Sequence, residues 1–164
     1  MSAPYPEATF QAVETIISYH FTDKTLLRKA LQAAGSIASI CNTGGVLDTD
    51  GNKRPAIVGD VVLKLVLVEE WYRLNTPRAH ADAIVKEVAS NENLDTVGKR
   101  LGLDRYVEVA PGMRGIQVPW RTMAATMEAM IWAVYVDGGI EAVKQVMRTM
   151  GLVAASSPHT ATSV

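Results

Sequence analysis

Two carboxylates stand inside otherwise apolar sequence. Asp60 interrupts the run Ile57, Val58, Val61, Val62, Leu65 and Val66, and Glu128 interrupts Met123, Met127, Met130, Ile131 and Val134. A carboxylate set among such neighbours needs a cation, a metal or hydrogen-bond donors, because a desolvated charge is otherwise costly. Lys64 lies one helical turn beyond Asp60 and is the nearest candidate cation; Ala56 lies one turn before it. One stripe of the segment therefore reads Ala56, Asp60, Lys64. Other reactive side chains are sparse. Cys41 is the single cysteine, which leaves no internal disulfide and no cysteine-based zinc site. His20, His80 and His159 are scattered and form no metal motif.

Helices must position the two acids. Arg54 to Tyr72 is too long for an ordinary buried strand and predicts a helix. Its apolar residues cover most of the circumference, where a surface helix keeps a broad polar face. The expectation is a central helix surrounded by others. Trp120 to Val136 is the second well-marked helix, its methionines read as adaptable core filling. Asp137-Gly138-Gly139 ends it, and Ile140 to Met150 forms a last helix stopped by Gly151. Before the first of these segments, Ala8 to His20 has helical spacing, and Thr22 or Asp23 can cap a helix holding Leu26, Leu27, Ala30 and Leu31. Gly35 to Pro55 is a long polar connection with turn signals at Gly44-Gly45 and Asp50-Gly51, and Ile37 to Cys41 are candidates to pack down. After the central segment, a helix with Ala81, Ile84, Val85 and Val88 follows Pro77. Ser90 or Asn91 then caps a shorter one closed by Gly102. No strand signal is convincing, so the fold class is all-α, with about seven to nine helices.

The 164 residues suffice for one domain with a real core, and 48% apolar against 20% charged residues excludes a disordered chain. A formal charge of -1 argues against a chain devoted to non-specific nucleic-acid binding. A local basic groove remains compatible with that charge. Lys99, Arg100, Arg105 and Arg114 gather near one turn, with Arg105 and Arg114 as the weak candidates for RNA contact. No apolar run reaches the roughly 18 to 20 residues that span a membrane, Lys64 breaking the best candidate. The N-terminal MSAPYPEATF has neither the basic nor the apolar region of a secretory signal. An intracellular protein is expected, with cytoplasm, nucleus and mitochondrion all open.

The ordered segments resemble the ribonuclease III domain. The family's signature has the form ERLEFLGDAVL, and residues 53–72 read KRPAIVGDVVLKLVLVEEWY. Its second marker has the form ADxxEAxxGAxxxDGG, and Ala124 to Gly139 reads AATMEAMIWAVYVDGG. Between them, IVKEVASNENLDTVGKRLGLDRY looks like the family's intermediate segment, with its Ser-Asn pair at Ser90-Asn91. The resemblance implies a ribonuclease III-like helical domain over residues 10–151, between a flexible lead-in of residues 1–9 and a flexible tail of residues 152–164.

The resemblance also implies four carboxylates that hold Mg²⁺ or Mn²⁺ beside the scissile phosphate of double-stranded RNA. Such metals activate the attacking water and offset charge on the leaving oxygen. Carried over position by position, the first acid falls on Ala56, the second on Asp60, the third on Ala125 and the fourth on Glu128. Asp60 and Glu128 are thus a remnant catalytic pair and, at most, a weak metal site. The family's leading glutamate is Lys53, and Lys64 adds a positive charge beside Asp60. Ion pairs of Lys64 with Asp60 and of Arg121 with Glu128 are the expected way to close the site without metal. No cofactor is expected, and Mg²⁺ or Mn²⁺ enters only if the chain is a divergent endonuclease.

Family members pair as symmetric dimers through the signature region. Here Ile57 replaces the family's aromatic, and Ile57, Val58 and Val61 are the expected interface. The family's bacterial members carry a double-stranded-RNA-binding domain after this one, and no such pattern follows Met150, which lowers the expected RNA affinity. The resulting expectation is a catalytically impaired homodimer that binds double-stranded RNA or a protein partner. The alternatives are a divalent-metal-dependent double-stranded-RNA endonuclease and a structural component of a ribonucleoprotein assembly such as a mitochondrial ribosome.

Overall fold

In the computed structural model, residues 6–36 and 49–154 are described. The expected turn at Gly44-Gly45 and the packing of Ile37 to Cys41 lie outside them. The helices are α1 (Glu7–Ile17), α2 (Lys24–Leu31), α3 (Lys53–Arg73), α4 (Ala79–Val88), α5 (Asn91–Arg100) and α6 (Trp120–Met150), with short 3-10 helices at Leu103–Tyr106 and Pro111–Met113. No strand occurs among the described residues. Among the described residues one isolated bridge joins Gln32 and Glu108, where Ala33 N–H donates to Glu108 O at 2.9 Å and Glu108 N–H to Leu31 O at 2.9 Å. No helix among the described residues is long and apolar enough to cross a membrane.

Local chemistry sets several helix ends. The Asp23 carboxylate caps α2 by accepting from Thr25 N–H at 2.9 Å, and Ser90 Oγ caps α5 by accepting from Asn93 N–H at 3.2 Å. Gly102 and Gly151 close α5 and α6 in the left-handed conformation. Arg100 Nη2 donates to Met150 O at 2.8 Å, satisfying a carbonyl at the end of α6. Ordered structure extends to both ends of the described residues. Glu7, Ala8 and Thr9, assigned to the lead-in, form the first turn of α1, with Glu7 ion-paired to Lys24. Leu152, assigned to the tail, is buried in the core. Its apolar side chain pulls the chain down after the Gly151 turn.

The organising helix is α6, not α3. Helices α2, α3 and α5 all pack against α6, whose Met123, Met127, Met130, Ile131, Val134, Val143 and Met147 are fully buried. Burying each such side chain contributes about 2 kcal/mol. Helix α3 buries only one face, with Ala56, Gly59, Val62, Leu63, Val66 and Leu67 turned inward. Ile57, Val58, Val61, Leu65, Val68 and Tyr72 remain exposed, Ile57 by 70% and Tyr72 by 79%. This corrects the expectation of a fully surrounded helix. Apolar residues on every side do not specify which side the rest of the chain covers.

Two close approaches fix α3 on α6. A Cβ added to Gly59 would lie 1.7 Å from Glu128 O, so the helix backbones touch there. Below that point the buried Asn52 Nδ2 donates to Ala30 O at 2.8 Å and to Thr126 Oγ1 at 2.9 Å, joining α2, α3 and α6.

Candidate functional site

Gly59 is what brings the two acids together. Its missing side chain lets α3 meet α6 at Glu128, and the next residue, Asp60, then shares a site with the Glu128 carboxylate. Both acids are half-buried. Lys64 Nζ donates to Asp60 Oδ2 at 2.7 Å across one turn of α3, the pairing expected from the sequence. Burial pushes the Glu128 carboxyl up, the charge on Asp60 adds to the effect and Lys64 opposes it, leaving a value of about 7. The site therefore holds two acids, one ammonium and, near neutrality, part of a proton.

The expected pairing of Arg121 with Glu128 does not form. The Arg121 guanidinium lies over the Trp120 ring, 4.9 Å from its centroid. Seven residues along a helix are two turns, and the neighbouring indole offers a cation a nearer surface. Ala56 is buried and Ala125 half-buried at the same helix crossing.

Divalent magnesium demands near-octahedral oxygen coordination. Asp60 and Glu128 can supply carboxylate oxygens, whereas Ala56 and Ala125 supply none, and one Asp60 oxygen is engaged by Lys64. Among the described residues no three His, Cys, Asp or Glu side chains gather as a metal site. The donor set does not fit the four-carboxylate centre that the resemblance implies.

Of the basic residues near the exposed turn, two have structural partners. Lys99 pairs with Asp95 at 2.7 Å, and Arg100 holds the end of α6. Arg105 and Arg114 are exposed, one in each short 3-10 region. The interface candidates Ile57, Val58 and Val61 all lie on the exposed face of α3.

Three polar anchors escape a reading of the sequence. Asn52 precedes α3 as a cap would, yet makes no side-chain cap bond and points into the core. Glu14 is buried, its Oε1 accepting from Phe21 N–H at 2.8 Å. Asp137 accepts from Tyr19 O–H at 2.8 Å and from Thr22 N–H and Asp23 N–H at 2.9 Å each. Burial alone would raise the Asp137 carboxyl, but the backbone donors and Tyr19 outweigh it and hold it below its ordinary value. The DGG tripeptide was visible in the sequence; that its aspartate clamps the α1–α2 connection was not.

The geometry agrees with three comparisons. The Ribonuclease-III-like family model matches residues 42–154, and the chain belongs to that family. It is 27% identical over 151 residues to Ribonuclease 3 of Magnetococcus marinus, covering 90% of this chain and 61% of the relative. It is 34% identical over 139 residues to Ribonuclease 3 of Pseudothermotoga lettingae, covering 79% and 56%. The chain thus spans about three fifths of the length of the curated relatives it matches. A solved nuclease domain of ribonuclease III from Campylobacter jejuni, described as having a flexible region involved in dimer formation, superposes with a TM-score of 0.70 at 20% identity. That match covers 86% of this chain and 95% of the solved one.

Proposed function

We propose that this domain acts as a homodimer on double-stranded RNA, with strand cleavage strongly impaired. The observation that carries the reading is the composition of the α3–α6 crossing. Lys64 sits 2.7 Å from Asp60, and alanines stand at the two other positions where the family resemblance puts acids. Removing one well-placed electrostatic group lowers turnover by about 10² to 10³. Losses within one cluster do not add simply, but two missing ligands and an added cation act in the same direction.

The exposed face of α3 supports the dimer. Ile57, Val61, Leu65, Val68 and Tyr72 recur at helical spacing along it, the pattern of a face that another helix covers. A paired molecule would offer a duplex a longer surface, read through shape, 2′-hydroxyls and phosphates. Arg105 and Arg114 are the cations proposed to meet those phosphates.

The deciding assay incubates a long RNA duplex with the protein in Mg²⁺ or Mn²⁺. No cleavage above buffer is expected, together with duplex binding that weakens as salt rises. Robust cleavage abolished by Asp60→Ala or Glu128→Ala would establish instead a divalent-metal-dependent double-stranded-RNA endonuclease, the reading that the relatives' name favours. A stable dimer indifferent to RNA would move the role to docking within a ribonucleoprotein assembly.

A further inference from the structure

The family resemblance expects a divalent ion where this chain places an ammonium, and the geometry explains the mismatch without any external ion. Asp60 is half-buried and Lys64 is exposed. The Asp60 side chain retains 29% of its exposure and Lys64 45%, while their nitrogen and oxygen lie 2.7 Å apart. Asp60 also faces Glu128 across a contact where Gly59 leaves no space between the backbones. The lysine also lines a groove between α3 and α4 with Val68, Asp82, Val85 and Lys86. Its ammonium is directed to Asp60 Oδ2.

We propose that Lys64 is a tethered counter-ion that takes the place of a divalent metal at the Asp60–Glu128 pair and keeps such metals out. A cation carried on the same helix is present at high effective concentration, so a dissolved divalent ion must displace it before reaching Asp60. An incoming ion would also meet the ammonium's charge at a separation well inside the Debye length, where dissolved salt screens it little. This proposal rests on the non-cleaving reading above but is tested without RNA, so a failure to bind duplex would sink that reading and leave this one standing.

The experiment titrates Mn²⁺ into the metal-free full chain and follows the free-ion signal by electron paramagnetic resonance. Wild type and Lys64→Arg, which preserves the charge, should bind no Mn²⁺ at sub-millimolar concentration. Lys64→Met, which keeps the apolar stem, should gain affinity about ten-fold or more, the scale on which groups around a metal site act. Adding Asp60→Asn to Lys64→Met should remove the gain. Circular dichroism confirms that each variant is folded, and Lys64→Gln replaces Lys64→Met if the latter is not. Equal binding by all variants overturns the proposal, because the lysine then excludes nothing. Absence of binding even by the folded Lys64→Met and Lys64→Gln proteins overturns it as well, because no metal-competent pair then lies beneath the lysine.

Discussion

Glu128 carries the clearest consequence at the scale of single residues. Its folded-state carboxyl is raised to about 7 from 4.5, mainly by burial. Between those values the folded protein holds a proton that the unfolded chain has released, so stability falls as pH rises across the interval and is level above it. Glu128→Gln should abolish the slope. After allowance for solvent screening, the variant should be about 1 to 2 kcal/mol more stable than wild type at pH 8 and no more stable at pH 4. Urea unfolding in metal-free buffer at the two pH values checks this; equal differences at both would refute the assignment. Asp137 has the opposite sign. Its carboxyl is held low by three donors, so its contribution is present above the ordinary aspartate range and is lost as pH falls through it. Asp60 and Glu128 were both legible in the sequence because a charge within an apolar run is conspicuous. Asn52 and Thr126 were not, since the bond between them joins residues 74 positions apart and neither residue looks unusual locally.

At the scale of elements, the α3–α6 contact depends on an absent side chain. Gly59→Ala improves helix propensity by about 1 kcal/mol and by that rule alone should stabilise the protein. The added Cβ would lie 1.7 Å from Glu128 O, and since that neighbour is backbone, the helices must separate. Thermal unfolding should show a net loss of about 3 kcal/mol or more; a rise in Tm would contradict the close approach. Asn52→Ala should cost about 1 to 3 kcal/mol, because it leaves the buried Thr126 hydroxyl and Ala30 carbonyl without the donor they share. Helix positions were readable from spacing, and from the two cap alternatives, Thr22 or Asp23 and Ser90 or Asn91, the structure uses Asp23 and Ser90. Which face of α3 turns inward was not readable. Its apolar residues encircle it, and the choice is made by the partner surface, where α6 offers Glu128 opposite Gly59.

At the scale of the whole molecule, the proposed pairing puts the uncovered side of α3 at the contact between two copies. Val61→Glu places a charge in the middle of the exposed stripe, on a residue already 62% accessible in the single chain. Light scattering should report a dimer for wild type and a monomer for Val61→Glu, with unchanged circular dichroism. A monomeric wild type would remove the proposed pairing. The family and the all-α architecture were legible because the signature, the Ser-Asn segment and the DGG marker occur in order. The expected break at Asp137-Gly138-Gly139 is present as the non-helical Gly139 inside α6; the hub was misjudged because the apolar residues around α3 drew it to the centre, whereas α6 is the helix the others pack against.

The bend inside α6 divides the molecule mechanically. Gly139 has φ 76° and ψ -174°, a conformation essentially confined to glycine, so the final eleven-residue arm cannot inherit its direction from the helix before it. Its orientation is held by the burial of Val143, Val146, Met147 and Met150 in the core, with ion pairs along its rim. Lys144 bridges Glu69 at 3.0 Å and Glu141 at 2.9 Å, and Arg148 reaches Glu70 at 3.2 Å. Ionic fasteners yield to added salt, whereas buried apolar contacts on both sides of the bend do not. Amide exchange along the arm should therefore stay close to that of Met123 to Val134 in concentrated sodium chloride, and a selective quickening of the arm would show that its charges, not its buried side chains, set its direction.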